Sequence, residues 1–146
     1  MKRSLNEVPR TDYAEFELDQ AIADRPHLID ETVILRYLLE DDPSYFKAAC
    51  AVIDGGRAYT FPSVFARVAV VLRDVYGVPR SQIAVALIDL IDDISVRDED
   101  VVRYACRLFG SSMFDFLDCL IIGHNIMRGE SVTSFEKPLM RRALSL

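Results

Sequence analysis

The sequence predicts an α/β protein with a central, mainly parallel sheet and helices on both faces of that sheet. Short apolar runs typical of buried strands alternate along the chain with longer segments of helical periodicity. The first apolar run ends in Asp30, at the carboxyl end of a strand, where ligands bind in open α/β sheets. With 146 residues, 51% of them hydrophobic, the chain is long enough for one sizeable core but not for two typical domains.

The predicted elements follow from hydrophobic periodicity and from residues that break it. Four strands are predicted, at residues 28–30, 58–61, 94–96 and 131–134. Six longer helices are predicted, at residues 33–40, 43–55, 64–76, 80–92, 98–110 and 114–127, with a short basic helix after residue 136.

Residues with strong positional preferences set several of these helix ends. Asp42 and Pro43 together predict a helix start, because Asp is a favoured N-cap and Pro fits the first helical position. Ser63 and Asp98 are predicted N-caps of later helices, and Gly77 is predicted to close the helix begun after Ser63.

Composition and charge exclude several classes of protein. The net charge of −6 argues against a general nucleic-acid coat, because such proteins neutralise phosphates with Lys and Arg. Three widely spaced cysteines, Cys50, Cys106 and Cys119, predict neither a disulfide framework nor a zinc site. The chain shows no signal-peptide core and no span long enough for a membrane helix, so we expect a cytoplasmic protein without membrane partners.

Residues 1–26 precede the first predicted strand and form a separate N-terminal extension, ahead of the domain at residues 27–146. Tyr13, Phe16, Leu18 and Ile22 lie among acidic residues, a spacing that suits a short amphipathic helix, and the alternative is a disordered extension. We expect these side chains to cover a basic or apolar groove of the same chain or of a neighbouring one.

Acidic residues occur in four short motifs in a characteristic order. Asp30 opens Asp-Glu-Thr-Val before a helix, Asp115 and Asp118 lie three residues apart on a later helix, and Glu136 follows Ser-Phe near the end. Between them, Ala-Arg-Val places Arg67 on a helix that ends before a Tyr-Gly turn. Side chains three apart on a helix share a face, so Asp115 and Asp118 are expected to point the same way.

This order resembles the PIN-domain ribonucleases, in particular the VapC-type toxins of bacterial toxin–antitoxin pairs, over about residues 28–143. The resemblance implies a PIN-like fold and a Mg²⁺- or Mn²⁺-dependent endoribonuclease whose carboxylates hold the metal. It assigns Asp30 and Asp118 as metal ligands and adds Asp115 and Glu136 to the catalytic set. Arg67 stands where the family has its second acid, and Thr32 and Glu31 depart from the family's Thr-Asn pair.

The arginine changes what the resemblance implies for activity. We expect cleavage to be weakened or lost and the metal to bind poorly, with an active RNA-cleaving toxin and a non-catalytic RNA- or protein-binding module as the alternatives. Three roles are open for Arg67: a bidentate pair with Asp30 or Asp118 in place of the metal, a contact to substrate phosphate, or a surface arginine lying along apolar neighbours. The family implies RNA, an antitoxin protein and a second copy of the chain as partners.

Each acid also has a structural interpretation. Asp30 and Asp115 can be helix N-caps, the latter together with Ser112, and Glu136 can pair with a nearby basic residue of the last helix. Asp118 lies in an apolar stretch, where an unpaired carboxylate is costly, which favours a position facing a cleft.

Overall fold

The computed structural model describes residues 25–144, in which three short parallel strands form the sheet. They are β1 (His27–Leu28), β2 (Ala58–Thr60) and β3 (Ser95–Val96), hydrogen-bonded in that order. The buried hydroxyl of Thr60 donates to the carbonyl oxygen of Ile29 at 2.7 Å and ties the carboxyl ends of β1 and β2 together. The predicted α/β class with a parallel sheet is confirmed.

Seven helices accompany the sheet within the described residues. They are α1 (Glu31–Leu39), α2 (Pro43–Asp54), α3 (Pro62–Asp74), α4 (Arg80–Asp93), α5 (Glu99–Ser111), α6 (Phe116–Arg128) and α7 (Lys137–Arg142). None of the described helices has the length and apolar character needed to cross a bilayer. Of the predicted extension at residues 1–26, all but the last two residues lie outside the described range.

The core is formed by the buried side of the sheet and by helices α3 to α6. These helices bury large side chains, among them Ile83, Leu87, Phe109, Phe116 and Ile122. Gly110 allows α5 to approach α4 closely, because a Cβ atom at this position would lie 2.6 Å from that of Ala84.

Two helix starts differ from the sequence predictions. Helix α3 begins at Pro62 with Phe61 in the N-cap position, so Ser63 lies inside the first turn and is not the cap. Asp98 does occupy the N-cap position of α5, but its side chain makes no capping bond and instead pairs with Arg128 at 3.0 Å. Asp42 caps α2 as predicted, accepting hydrogen bonds from the amides of residues 44 and 45.

The predicted fourth strand is wrong: residues 131–134 have no regular secondary structure. The C-terminal segment, residues 130–144, is held by the side chain of the buried Asn125 and not by strand pairing. Its Nδ2 donates to the carbonyl oxygens of Glu130 at 2.9 Å and Leu144 at 3.2 Å, and its Oδ1 accepts from the Leu144 amide at 2.7 Å.

The two faces of the sheet differ in how far the described helices bury them. Ala58, Thr60 and Val96 point into the core and are buried. Leu28 lies in register with Tyr59, and Tyr59 with Ser95, so these three point to the opposite side. There Leu28 is 52% exposed and Ser95 is exposed, so the helices of residues 25–144 leave this side open, and the helices predicted for a second face are not found among these residues.

Candidate functional site

Three of the predicted acids line one cavity. Asp115 precedes α6 as its N-cap residue, Asp118 lies in the first turn of α6, and Glu136 precedes α7. Together with Phe114 and the buried Leu139 they enclose a space of about 370 Å³, which we call the acid cavity. The helical spacing brings Asp115 and Asp118 to one face, as expected, and α7 adds the third carboxylate.

The electrostatics of the acid cavity disfavour the charged form of Asp118. Partial burial raises its pKa, and the negative charges of Asp115 and Glu136 raise it further. A nearby cation partly offsets the charge of Asp115, because Arg73 Nη1 of α3 lies 3.6 Å from its Oδ1. Asp118 itself forms no ion pair with another described residue. The cavity therefore holds a carboxylate whose charge is poorly compensated.

Asp30 is not among the residues that line the acid cavity, and it caps α1. Its Oδ1 accepts hydrogen bonds from the Thr32 hydroxyl at 2.6 Å, the Thr32 amide at 2.9 Å and the Val33 amide at 3.3 Å. The hydroxyl of Thr32 contributes most to lowering the pKa of Asp30. Beside it is a second cavity, of about 490 Å³, lined partly by Leu28 and Phe61. The capping interpretation of Asp30 is thus confirmed.

Arg67 pairs with Glu31 and with neither Asp30 nor Asp118. Its Nε lies 3.3 Å from Glu31 Oε1, and its side chain is 71% exposed whereas that of Glu31 is 22% exposed. Glu31 turns toward α3 because it is the first residue of a helix, where the alternation that directs neighbouring strand residues to opposite sides does not apply.

Helix α3 connects the two groups of acids. It contacts both α1 and α6, with Arg67 at the α1 end and Arg73 at the Asp115 end. Of the five residues predicted to converge on one cleft, Asp115, Asp118 and Glu136 line the acid cavity. Asp30 and Arg67 are not among its lining residues, and Arg67 lies on α3 beside the start of α1.

The described carboxylates do not form a ready metal site. Among residues 25–144, no three His, Cys, Asp or Glu side chains are grouped so that they could hold a metal ion. Asp115 lies against Arg73, and Asp30 directs Oδ1 at the start of α1. The Mg²⁺ or Mn²⁺ that the resemblance implies therefore does not fit the present arrangement, and we derive no reaction step through it.

Sequence reasoning missed two arginines that shape the acid cavity. Arg73 partners Asp115, which depends on how α3 and α6 pack and has no local sequence signal. Arg80 Nη1 donates to the carbonyl oxygens of Phe109 at 3.0 Å, Ser112 at 2.9 Å and Phe114 at 2.9 Å. These bonds hold the turn that precedes Asp115.

Comparison with known proteins gives no relative from which a role can be transferred. No protein-family model, no curated protein and no solved structure matches the chain.

Proposed function

We propose that the protein is a PIN-like relative of metal-dependent endoribonucleases in which cleavage is weakened or lost. The observation that carries this proposal is the Arg67–Glu31 ion pair. It puts a cation at the position of the family's second acid, and this cation also neutralises the carboxylate of Glu31, which could otherwise have replaced that acid. Acids remain at Asp30 and Asp118, and Arg67 adds an exposed guanidinium beside Glu31, which suits RNA binding better than metal binding.

Charge arithmetic supports weak metal affinity. Replacing an acid by arginine changes the local charge by two units, and a unit-charge pair at about 4 Å is worth about 1 kcal/mol in water. Because Arg67 is mostly exposed, we use this lower limit. The change of two charge units therefore costs about 2 kcal/mol for each positive charge of the metal ion, which is at least a tenfold loss of metal affinity. The pairing of Glu31 with Arg67 withdraws a further carboxylate and adds to this loss.

Arg67 also supports a local contact to phosphate. A protein with a net charge of −6 cannot attract RNA over its whole surface, so binding requires individual cations at the right place. The guanidinium of Arg67 is exposed and forms only one described ion pair, leaving donors for a phosphate oxygen.

An active ribonuclease is the second candidate function, and one observation favours it. Asp118, Asp115 and Glu136 share one cavity, and the pKa of Asp118 is raised partly by the other two. A divalent cation entering the cavity would relieve this repulsion. Side-chain rotations of Asp115 and Glu136 would have to precede it.

Calorimetry with Mn²⁺ and cleavage of a labelled single-stranded RNA separate the two candidates. We expect the wild type to bind Mn²⁺ weakly and to cleave poorly, and Arg67→Glu to bind Mn²⁺ at least tenfold more tightly. The matched control is Arg107→Glu, the same charge reversal at an exposed position on α5, which should leave Mn²⁺ affinity nearly unchanged.

Cleavage by the wild type that is robust, abolished by chelator and lost in Asp118→Asn would contradict the proposal and support the active ribonuclease. Equal gains of Mn²⁺ affinity in Arg67→Glu and Arg107→Glu would also contradict it, because the effect would then be one of net charge.

A further inference from the structure

Helix α7 carries cations that have no carboxylate partner. It spans only Lys137–Arg142, and its Lys137, Arg141 and Arg142 are all exposed. Among residues 25–144, none of the three forms an ion pair. Four other helices each contain an arginine that does pair with a carboxylate, namely Arg36, Arg73, Arg103 and Arg128. The positive charge of α7 is therefore left for solvent or for a partner molecule.

The helical turn directs two of these cations away from the core. Lys137 and Arg141 are four residues apart, so they share one face of α7. At about 100° per residue this face lies opposite Leu139, whose side chain is only 2% exposed. Like charges at this spacing destabilise a helix slightly. An anion bound to both side chains would remove that repulsion.

The nearest acid of the chain does not neutralise this pair of cations. Glu136 directly precedes α7 and lines the acid cavity together with Pro138 and Leu139. No ion pair joins Glu136 to any other residue that the structure describes. Lys137 and Arg141 are not among the residues that line the cavity. Helix α7 thus has the acid cavity on its inner side and cations on its outer side.

An aromatic side chain without cover adjoins these cations. Phe135 is 101% exposed and lies two residues before Lys137. It does not belong to the hydrophobic core formed by the described residues. Proteins that bind single-stranded nucleic acid combine these two components, because an aromatic ring stacks on a base and cations contact the phosphates.

We propose that Phe135, Lys137 and Arg141 bind a single strand of RNA beside the acid cavity. Phe135 stacks on a base, and Lys137 and Arg141 contact phosphates of the same strand. Since the inner side of α7 lines the acid cavity, the strand lies about one helix diameter, roughly 10 Å, from its carboxylates. This inference rests on the proposed function, which makes RNA the partner, and it adds the side chains that hold the strand.

The orientation of α7 favours RNA over a membrane surface. A helix that lies on a bilayer buries an apolar face in the lipid and leaves its charged face in water. In α7 the core occupies the apolar side through Leu139, and the side that is free to meet a partner carries Lys137 and Arg141.

Fluorescence anisotropy with a short labelled single-stranded oligoribonucleotide tests this inference. The measurements are made with a chelator present, so that neither metal binding nor cleavage affects the result. The first variant combines Lys137→Gln with Arg141→Gln, and the second is Phe135→Ala. The matched control combines Lys47→Gln with Arg107→Gln, which removes two exposed cations of α2 and α5. All these side chains are exposed, so the thermal midpoints in circular dichroism should stay unchanged.

The two variants should weaken RNA binding in different ways. We expect the Lys137 and Arg141 variant to lose affinity about tenfold and its slope of log K against log salt to fall by about 1.4, because each phosphate contact to a single strand adds about 0.7. Phe135→Ala should lose about tenfold in affinity with an unchanged salt slope, because it removes a stacking contact and no charge. The Lys47 and Arg107 control should keep nearly the affinity of the wild type.

Several outcomes would overturn the inference. RNA binding that both α7 variants leave unchanged and Arg67→Gln abolishes would overturn it while leaving the proposed function in place. Equal weakening in the Lys47 and Arg107 control would make the effect one of net charge. Absence of RNA binding at low salt, with binding to phosphatidylserine vesicles that is lost in the Lys137 and Arg141 variant, would assign the helix to a membrane surface.

Failure of the proposed function has a different signature. Robust, chelator-sensitive RNA cleavage by the wild type would contradict weakened activity. The losses of affinity in the two α7 variants, measured with chelator, would still support the strand-binding role of Phe135, Lys137 and Arg141.

Discussion

The substitution Asp118→Asn should stabilise the protein at neutral pH. Burial and the charges of Asp115 and Glu136 raise the pKa of Asp118, so ionising this carboxyl group costs free energy in the folded state. Because the folded pKa exceeds the unfolded one, stability falls as pH rises between the two values, and the full penalty is present at pH 7. Asparagine keeps the shape and removes the charge.

The expected gain at pH 7 is about 1 kcal/mol. Carboxylates three apart on a helix have Cβ atoms roughly 5–6 Å apart, and two like charges at about 6 Å repel by about 0.7 kcal/mol in water. Asp115 is 73% exposed, so the aqueous value applies to that pair. Glu136 and the lost desolvation add to it.

Urea denaturation of both proteins between about pH 3 and 8 measures the difference, which should disappear at the acid end because Asp118 is then protonated in both states. Asp30→Asn is the control of opposite sign, since hydrogen bonds lower the pKa of Asp30 and its charge stabilises the fold at pH 7. A neutral or destabilising effect of Asp118→Asn at pH 7 would refute the electrostatic description of the acid cavity.

Three further substitutions or reactions test the packing. Asn125→Ala should lower the free energy of unfolding in urea by about 2–4 kcal/mol, because it removes three described hydrogen bonds and leaves polar groups unpaired; a loss below about 1 kcal/mol would contradict this. Gly110→Ala should cost about 1–3 kcal/mol in the same assay, since the new methyl group would meet Ala84; an unchanged or higher stability would show that α4 and α5 can separate. Burial raises the pKa of Cys106 and of Cys119 to about 12, so Ellman's reagent at pH 8 should leave both unmodified until the protein is denatured, and prompt reaction of either in the native protein would contradict their burial.

The helices and the parallel sheet were predictable because each depends on local signals. Asp42 with Pro43 fixes the start of α2, and the apolar periodicity of residues 80–92 matches α4. The strand predicted at residues 131–134 failed because its alternation of polar and apolar residues is short and occurs equally in an extended loop. The support that this loop receives comes from Asn125, whose partners up to 19 residues away have no sequence signature.

The candidate site was predictable in part for the same reason. The spacing of Asp115 and Asp118 placed both on one face of α6, a local property, and both line the acid cavity. The partner of Arg67 was not predictable, because it depends on where α1 begins relative to α3 and on a rotamer of Glu31. Whether any of these residues binds RNA or metal stays a prediction.

The fastening of the C-terminal segment by Asn125 couples the acid cavity to the far end of α6. Glu136 reaches the cavity on the segment between Glu130 and Leu144, and the side chain of Asn125 bonds the backbone at both of these residues. Asp118 lies in the first turn of the same helix and Asn125 in its last turn. One helix therefore supplies a carboxylate of the cavity and also the anchor that keeps a second carboxylate near it, so that loosening the anchor would lower the negative charge around Asp118.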